Sequence, residues 1–200
     1  MNITVILDAG HGGMIDGEYQ TSGKRSPIWN DGSQYFEGVG NRQIVSKLTA
    51  KLKDKKINVF NANPTEKDMS LKNRVKLIND KIKSNNDSEF IGISVHSNAF
   101  TSPMANGWEV FTANQCSIDS LVLSSLSSEK FDAEFPYILN RGVKKSDFYI
   151  LKNTICPFIL TENLFHTNEK ECKEILMTKK GQDKIVNYHL EFICKFIGIE

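Results

Sequence analysis

Short apolar runs rich in β-branched residues alternate along this chain with segments whose apolar residues recur every three or four positions. That alternation leaves few architectures open. A run buried on both faces has to sit inside a sheet, and the helices between such runs have to cover it. Residues 3–7 form the first run, ended by Asp8 and the glycines that follow. Further strands are predicted at residues 57–60, 90–95, 108–112, 148–151 and 157–161. Helical spacing is carried by Ile44, Val45, Leu48 and Leu52 within residues 38–55, and by Leu71, Val75, Ile78 and Ile82 after a capping Ser70. Residues 117–131, a short helix begun by Thr167 or Asn168, and a last helix over 181–197 complete the series. The expected fold is α/β. It is a three-layer sandwich whose twisted, mostly parallel six-stranded sheet is flanked by helices on both faces, in one domain spanning residues 1–200.

Bulk properties exclude several classes of function. A net charge of +1 gives no reason to expect a nucleic-acid partner. No stretch approaches the roughly 20 apolar residues that span a bilayer. The start, Met1-Asn2-Ile3-Thr4, lacks a basic n-region and a small-residue cleavage site, so no signal peptide is expected. Cys116, Cys156, Cys172 and Cys194 are scattered without a CxxC pair and read as reduced thiols.

Histidine carries the chemistry. The chain has four, and two of them directly follow apolar strands: His11 in Leu7-Asp8-Ala9-Gly10-His11-Gly12-Gly13 and His96 in Ser94-Val95-His96-Ser97-Asn98-Ala99. Imidazoles at neighbouring strand ends can converge on one metal ion. Glu162 closes a later strand and is expected at the same edge. Glu37 sits where the long segment 9–36 meets the first helix, and it could complete a His, Glu, His set with a fourth position open. Glu18 is the other glutamate available near the loop, but it lies in featureless sequence.

These segments, in order, resemble the zinc-dependent N-acetylmuramoyl-L-alanine amidases of the Amidase_3 type, found in bacterial autolysins and phage endolysins. The resemblance rests on Asp8-Ala9-Gly10-His11-Gly12-Gly13, Glu37 before Asn41, Ser70-Leu71-Lys72-Asn73-Arg74-Val75, Ser94-Val95-His96-Ser97-Asn98-Ala99, Gly107-Trp108-Glu109-Val110, Arg141-Gly142-Val143 and Pro157-Phe158-Ile159-Leu160-Thr161-Glu162. It implies Zn2+ held by His11, Glu37 and His96, with Glu162 as the catalytic residue. It also implies cleavage of the amide joining N-acetylmuramic acid to L-alanine of the peptidoglycan stem peptide. Two departures stand out: Ala9 replaces a usual proline, and Asn163-Leu164-Phe165 replaces a small residue followed by Gly-Phe.

Around this core, Asp8, Ser94 or Asn98 could orient the histidine ligands. Asn98, Arg141 and His166 are candidate substrate contacts, with His166 open to a plain loop role and Arg141 to a structural one. Arg74 reads as an ion-pair residue, His189 as a core histidine, and Trp108 as packing. The rival readings are a zinc peptidase or deacetylase on a similar sheet and an inactive cell-wall-binding module. A monomer is expected. The setting that fits is a phage endolysin waiting in the host cytoplasm before it acts on the wall, with a bacterial or prophage autolysin as the alternative.

Overall fold

The computed structural model describes residues 3–85 and 87–199, so Met1 and Asn2, on which the expectation about a leader partly rests, lie outside the described residues. Strand β1 (Ile3–Ala9) is buried along its whole length, as a β-branched run covered on both faces must be. The long segment after it holds a small antiparallel hairpin, β2 (Met14–Ile15) and β3 (Glu18–Tyr19), before helix α1 (Glu37–Asp54). Then come β4 (Asn58–Asn61), α2 (Leu71–Lys83), β5 (Glu89–Asn98), β6 (Trp108–Thr112) and α3 (Ile118–Glu134). The chain continues through β7 (Asn140–Lys145), α4 (Tyr149–Asn153), β8 (Phe158–Phe165), the one-turn α5 (Glu169–Glu171), a π-helical turn (Cys172–Leu176) and α6 (Lys179–Ile197).

The main sheet has six strands in the order β4-β1-β5-β8-β6-β7. Every neighbouring pair is parallel except β8 with β6. One face packs Leu7, Ile93 and Ile159 against Leu48 of α1, Leu123 of α3 and Phe192 of α6. The other packs Ile6 and Leu160 against Val75 and Ile78 of α2 and Ile150 of α4. The three-layer sandwich is therefore observed. After β1 the chain runs to β4 on one side and then returns to β5 on the other, so a crevice opens between the carboxyl ends of β1 and β5.

Two element assignments differ from the sequence expectation. Residues 148–151 do not form a strand: Tyr149–Asn153 is helix α4, capped by Phe148, with Ile150 and Leu151 buried against the second face. An apolar run this short is compatible with either state, and here the sixth sheet position is taken. Its occupant, β7, reads Asn-Arg-Gly-Val-Lys-Lys and is never fully buried. As an edge strand with one neighbour it needs no apolar run, which is why periodicity misses it. Ser70 does cap α2, accepting from the Asn73 amide at 3.3 Å, and Asn168 begins the short α5. The four cysteines are free thiols, and no helix among the described residues is long and apolar enough to cross a membrane.

His189 is a core residue, as its place on the α6 stripe suggested. It is fully buried, with Nδ1 at 2.8 Å from the Ile185 carbonyl and Nε2 at 3.1 Å from Thr161 Oγ1. Burial pushes its pKa down to about 4, against the pull of that carbonyl. Below an unfolded value of 6.5 the unfolded chain takes up a proton that the folded chain refuses until about pH 4, so stability is lost as pH falls through that window. The full effect is about 3 kcal/mol. Denaturant titrations at pH 7 and pH 4 are expected to show a smaller acid loss in His189→Gln than in the parent.

Candidate metal centre and active site

Four segments build the site, each held by backbone contacts. The β1–β5 ladder continues one step past β1, because Gly10 N donates to the Val95 carbonyl at 3.0 Å. His11 then turns into the left-handed region at φ 67, which costs a non-glycine residue on the order of 1 kcal/mol. Its carbonyl is held by Arg42 Nη1 at 2.8 Å and Asn63 Nδ2 at 2.9 Å. Arg74 is buried, donates to the Ala9 carbonyl at 3.1 Å and pairs with Asp8 at 3.2 Å, so it is the expected structural ion pair.

Glu37 is the first residue of α1, where an acidic side chain suits the helix dipole. The N-cap residue Phe36 offers no side-chain acceptor, and the preceding loop does that work instead. Glu37 N donates to the Lys24 carbonyl at 3.0 Å, and Gly38 N donates to the Tyr19 hydroxyl at 2.9 Å. The Tyr19 hydroxyl in turn donates to the same Lys24 carbonyl at 3.0 Å. The long loop thus fixes the helix end that carries Glu37. Gly38 is required there, since a Cβ would lie 1.8 Å from the Gly12 carbonyl oxygen.

His11, Glu37 and His96 come together. Glu37 Oε1 lies 3.2 Å from His11 Nε2 and 3.1 Å from His96 Nδ1, and the two rings meet edge to face at 5.0 Å. The three donor atoms all lie within 4.8 Å of one another. Ligands about 2.1 Å from a tetrahedral zinc ion stand about 3.4 Å apart, so this donor set fits that ion and leaves its fourth position open. Among the described residues no other group of histidine, cysteine or carboxylate side chains is gathered in this way. Glu18, in the β2–β3 hairpin, is not part of it.

Electrostatics follow the same grouping. Burial pushes the Glu37 carboxyl up, but hydrogen bonds from His11 and His96 outweigh it and hold the group well below the usual carboxylate range. Burial lowers His11 despite Glu37. Desolvation opposes the charged form of the half-buried His96 too, yet its hydrogen bond and charge interaction with Glu37 raise it. One carboxylate is therefore shared by two rings.

Glu162 faces His96 across β5–β8 in direct register. Burial pushes its pKa up to about 8; His96 opposes this, while Glu37 and Glu109 add to it. Its Oε2 atom is buried with no hydrogen-bond partner among the described residues. An unpaired buried acceptor costs about 1–3 kcal/mol, and such atoms are common at functional sites. Immediately after Glu162 the β5–β8 register skips, giving β8 one extra residue. Leu164 takes φ 68 there, with its side chain fully buried. This is the position at which the family resemblance leads one to expect glycine. Asn163 anchors the bulge, donating from Nδ2 to the His96 carbonyl at 2.9 Å and accepting from the Tyr188 hydroxyl.

The remaining candidates have the following partners within the protein. Asp8 bonds Arg74 and Ser94 Oγ, at 3.2 and 2.6 Å, and neither Asp8 nor Ser94 is hydrogen-bonded to an imidazole. Asn98 Nδ2 donates to Glu109 Oε1 at 2.8 Å, so it orients that carboxylate instead. His166 is buried, with Nδ1 3.0 Å from Ser97 Oγ, beneath the β5 end. Arg141 Nε donates to Glu109 Oε2 at 2.6 Å, and Lys144 bonds the same oxygen. Glu109 is a residue to which the sequence reading assigns no role. Its signal was legible as the one charge in the apolar strand Trp-Glu-Val-Phe-Thr.

Gly10 offers a direct test of how His96 is seated. A Cβ there would lie 2.2 Å from His96 Cε1, with the ring nitrogens at 2.5 Å. Gly10→Ala is expected to push the ring aside and weaken zinc binding by about 10–100-fold, measured by competition with a chromogenic chelator. Unchanged affinity would mean that His96 is not held by this contact.

Comparison with known proteins gives the family and the fold. The family model described as N-acetylmuramoyl-L-alanine amidase (Amidase_3) matches residues 5–195. The endolysin of Bacillus phage SPP1 is 27% identical over 100% of this chain and 68% of its own length. The N-acetylmuramoyl-L-alanine amidase of Clostridium difficile 630 is 26% identical, with TM-score 0.81 over 98% of this chain and 96% of that one. The CwlD amidase of Clostridioides difficile, solved in complex with the GerS lipoprotein, is 29% identical, with TM-score 0.77 over 98% and 99% of the two chains. The chain belongs to the Amidase_3 family of N-acetylmuramoyl-L-alanine amidases.

Proposed function

We propose that this protein is a zinc-dependent peptidoglycan amidase that hydrolyses the bond between N-acetylmuramic acid and the L-alanine of the stem peptide. The observation that carries the reading is the convergence of His11, Glu37 and His96 beside a half-buried Glu162 whose buried Oε2 has no partner among the described residues. His11, Glu37 and His96 would hold the ion. When bound, zinc supplies Lewis-acid polarisation of the amide carbonyl and makes water nucleophilic near neutral pH. Glu162 takes a proton from the attacking water and delivers it to the alanine nitrogen as the C–N bond breaks. In the metal-free protein burial pushes this carboxyl up to about 8, and the positive charge of a bound ion would draw it back down to where it can accept the proton. Asn163 keeps β8 registered on the His96 carbonyl, so base and ligand stay on adjacent strands.

The reading takes residues 1–200 as one catalytic domain working as a monomer, and the endolysin relative supports action at the cell wall. Product analysis separates it from its rivals. Purified peptidoglycan is expected to release whole stem peptides with new L-alanine amino termini from intact glycan strands. New amino termini inside the peptide would indicate a peptidase, released acetate a deacetylase, and unchanged peptidoglycan a binding module.

A further inference from the structure

Across the sheet, His96 on β5, Glu162 on β8 and Glu109 on β6 stand in one row of register partners. The next strand, β7, brings Arg141 and Lys144 to the end of this row, both on Glu109. Glu109 is buried, with 4% of its surface exposed, and accepts from both cations through the single oxygen Oε2. One carboxylate therefore holds two positive charges, and the cluster carries a net +1 beside Glu162. The cations are also under-used as donors. Arg141 gives Nε to Glu109 and Nη1 to the Asn106 carbonyl at 3.3 Å, while its Nη2 has no partner among the described residues. Lys144 uses one of its three N–H donors. The guanidinium lies over the Phe165 ring at 5.1 Å, which fixes its plane. Both side chains keep about a third of their surface exposed, at 33% and 36%.

We propose that Arg141 and Lys144, positioned by Glu109, form a carboxylate-binding subsite that selects stem peptides whose second residue carries a free α-carboxylate. The proposal rests on the amidase reading and deepens it. Spacing is in keeping with this substrate. Strands lie about 4.8 Å apart, so the cations fall about 5–10 Å from Glu162 along the row. An extended peptide advances about 3.5 Å per residue, which places the second residue's α-carboxylate within that range of the scissile amide. A planar guanidinium beside an ammonium is a strong receiver for a carboxylate. A carboxamide at the same place offers no charge and turns N–H donors toward cations.

The test uses two synthetic N-acetylmuramoyl peptides that differ only in a carboxylate or carboxamide on the second residue. The zinc-loaded wild-type protein is expected to show a KM about tenfold lower or better for the carboxylate, with kcat little changed, and the preference should shrink as salt rises. Lys144→Met should collapse the KM ratio toward one. Arg141→Gln provides the same reading if that variant folds poorly, since either cation alone keeps Glu109 paired. Equal KM values in the wild type, or a preference for the carboxamide, would overturn the subsite while leaving the amidase reading intact. Cleavage of neither peptide would overturn both.

Discussion

Glu162→Gln is expected to lose about a thousandfold in kcat on muramoyl peptides while keeping its zinc. Loss of a positioned proton carrier removes 10²–10⁴-fold in typical enzymes. Gln preserves the shape and one acceptor but cannot carry the proton from water to the alanine nitrogen. Folding gives an independent check, and its sign is opposite to the effect on rate. In the metal-free protein burial pushes the Glu162 carboxyl up to about 8, against an ordinary 4.5. The unfolded chain releases its proton first, so the folded state loses stability as pH rises from about 4.5 to 8. Gln carries no such burden. With zinc removed by chelator, Glu162→Gln should therefore resist denaturant better than the parent at pH 8, and no better near pH 4. A variant that lost activity through misfolding would show the reverse at pH 8.

His96→Ala is expected to fail in the opposite way. It removes one of three protein donors, leaving His11 and Glu37, and two donors do not make a catalytic zinc site. Zinc content should fall from one per chain to near none after dialysis, with activity falling by at least the thousandfold expected for Glu162→Gln. The substitution also takes a hydrogen-bonded partner from Glu37, which is buried at 1% exposure. Breaking such a buried pair costs about 3–5 kcal/mol when nothing replaces the partner. Because Glu37 keeps His11 at 3.2 Å and the Ser97 amide at 3.3 Å, the loss should fall short of that. The two variants together separate metal binding from proton transfer: one keeps zinc without turnover, and the other loses both.

The parts of this molecule that announce themselves in the sequence are those buried on both sides. The wholly buried β1, the strand around His96 and the α1 stripe of Ile44, Val45, Leu48 and Leu52 are dictated by water exclusion, and a period of 2 or 3.6 exposes them. His11, His96 and Glu162 stand out as polar residues at the end of an apolar run and Glu37 as the acid where the long loop enters the first helix, while the roles proposed for them come from the family resemblance. What stayed hidden depends on partners distant in the chain. β7 is an edge strand with no apolar face, and only its place beside β6 makes it a strand. Tyr149–Asn153 resembles a strand until the sheet is counted. Asn98 and Arg141 meet on Glu109, separated from it by 11 and 32 residues. His166 is enclosed because Ser97 and Tyr35 come from other segments. The strained Leu164 likewise follows from a register skip between β5 and β8, which local sequence does not encode.

The measurement closest to the central claim is a zinc titration of chelator-stripped protein, followed by counting new L-alanine amino termini released from purified peptidoglycan. The rate should rise in proportion to added zinc and level off at one ion per chain, with no such rise in His96→Ala. Full release of L-alanine termini by the stripped protein, or none at full zinc loading, would contradict a zinc-dependent amidase centred on His11, Glu37, His96 and Glu162.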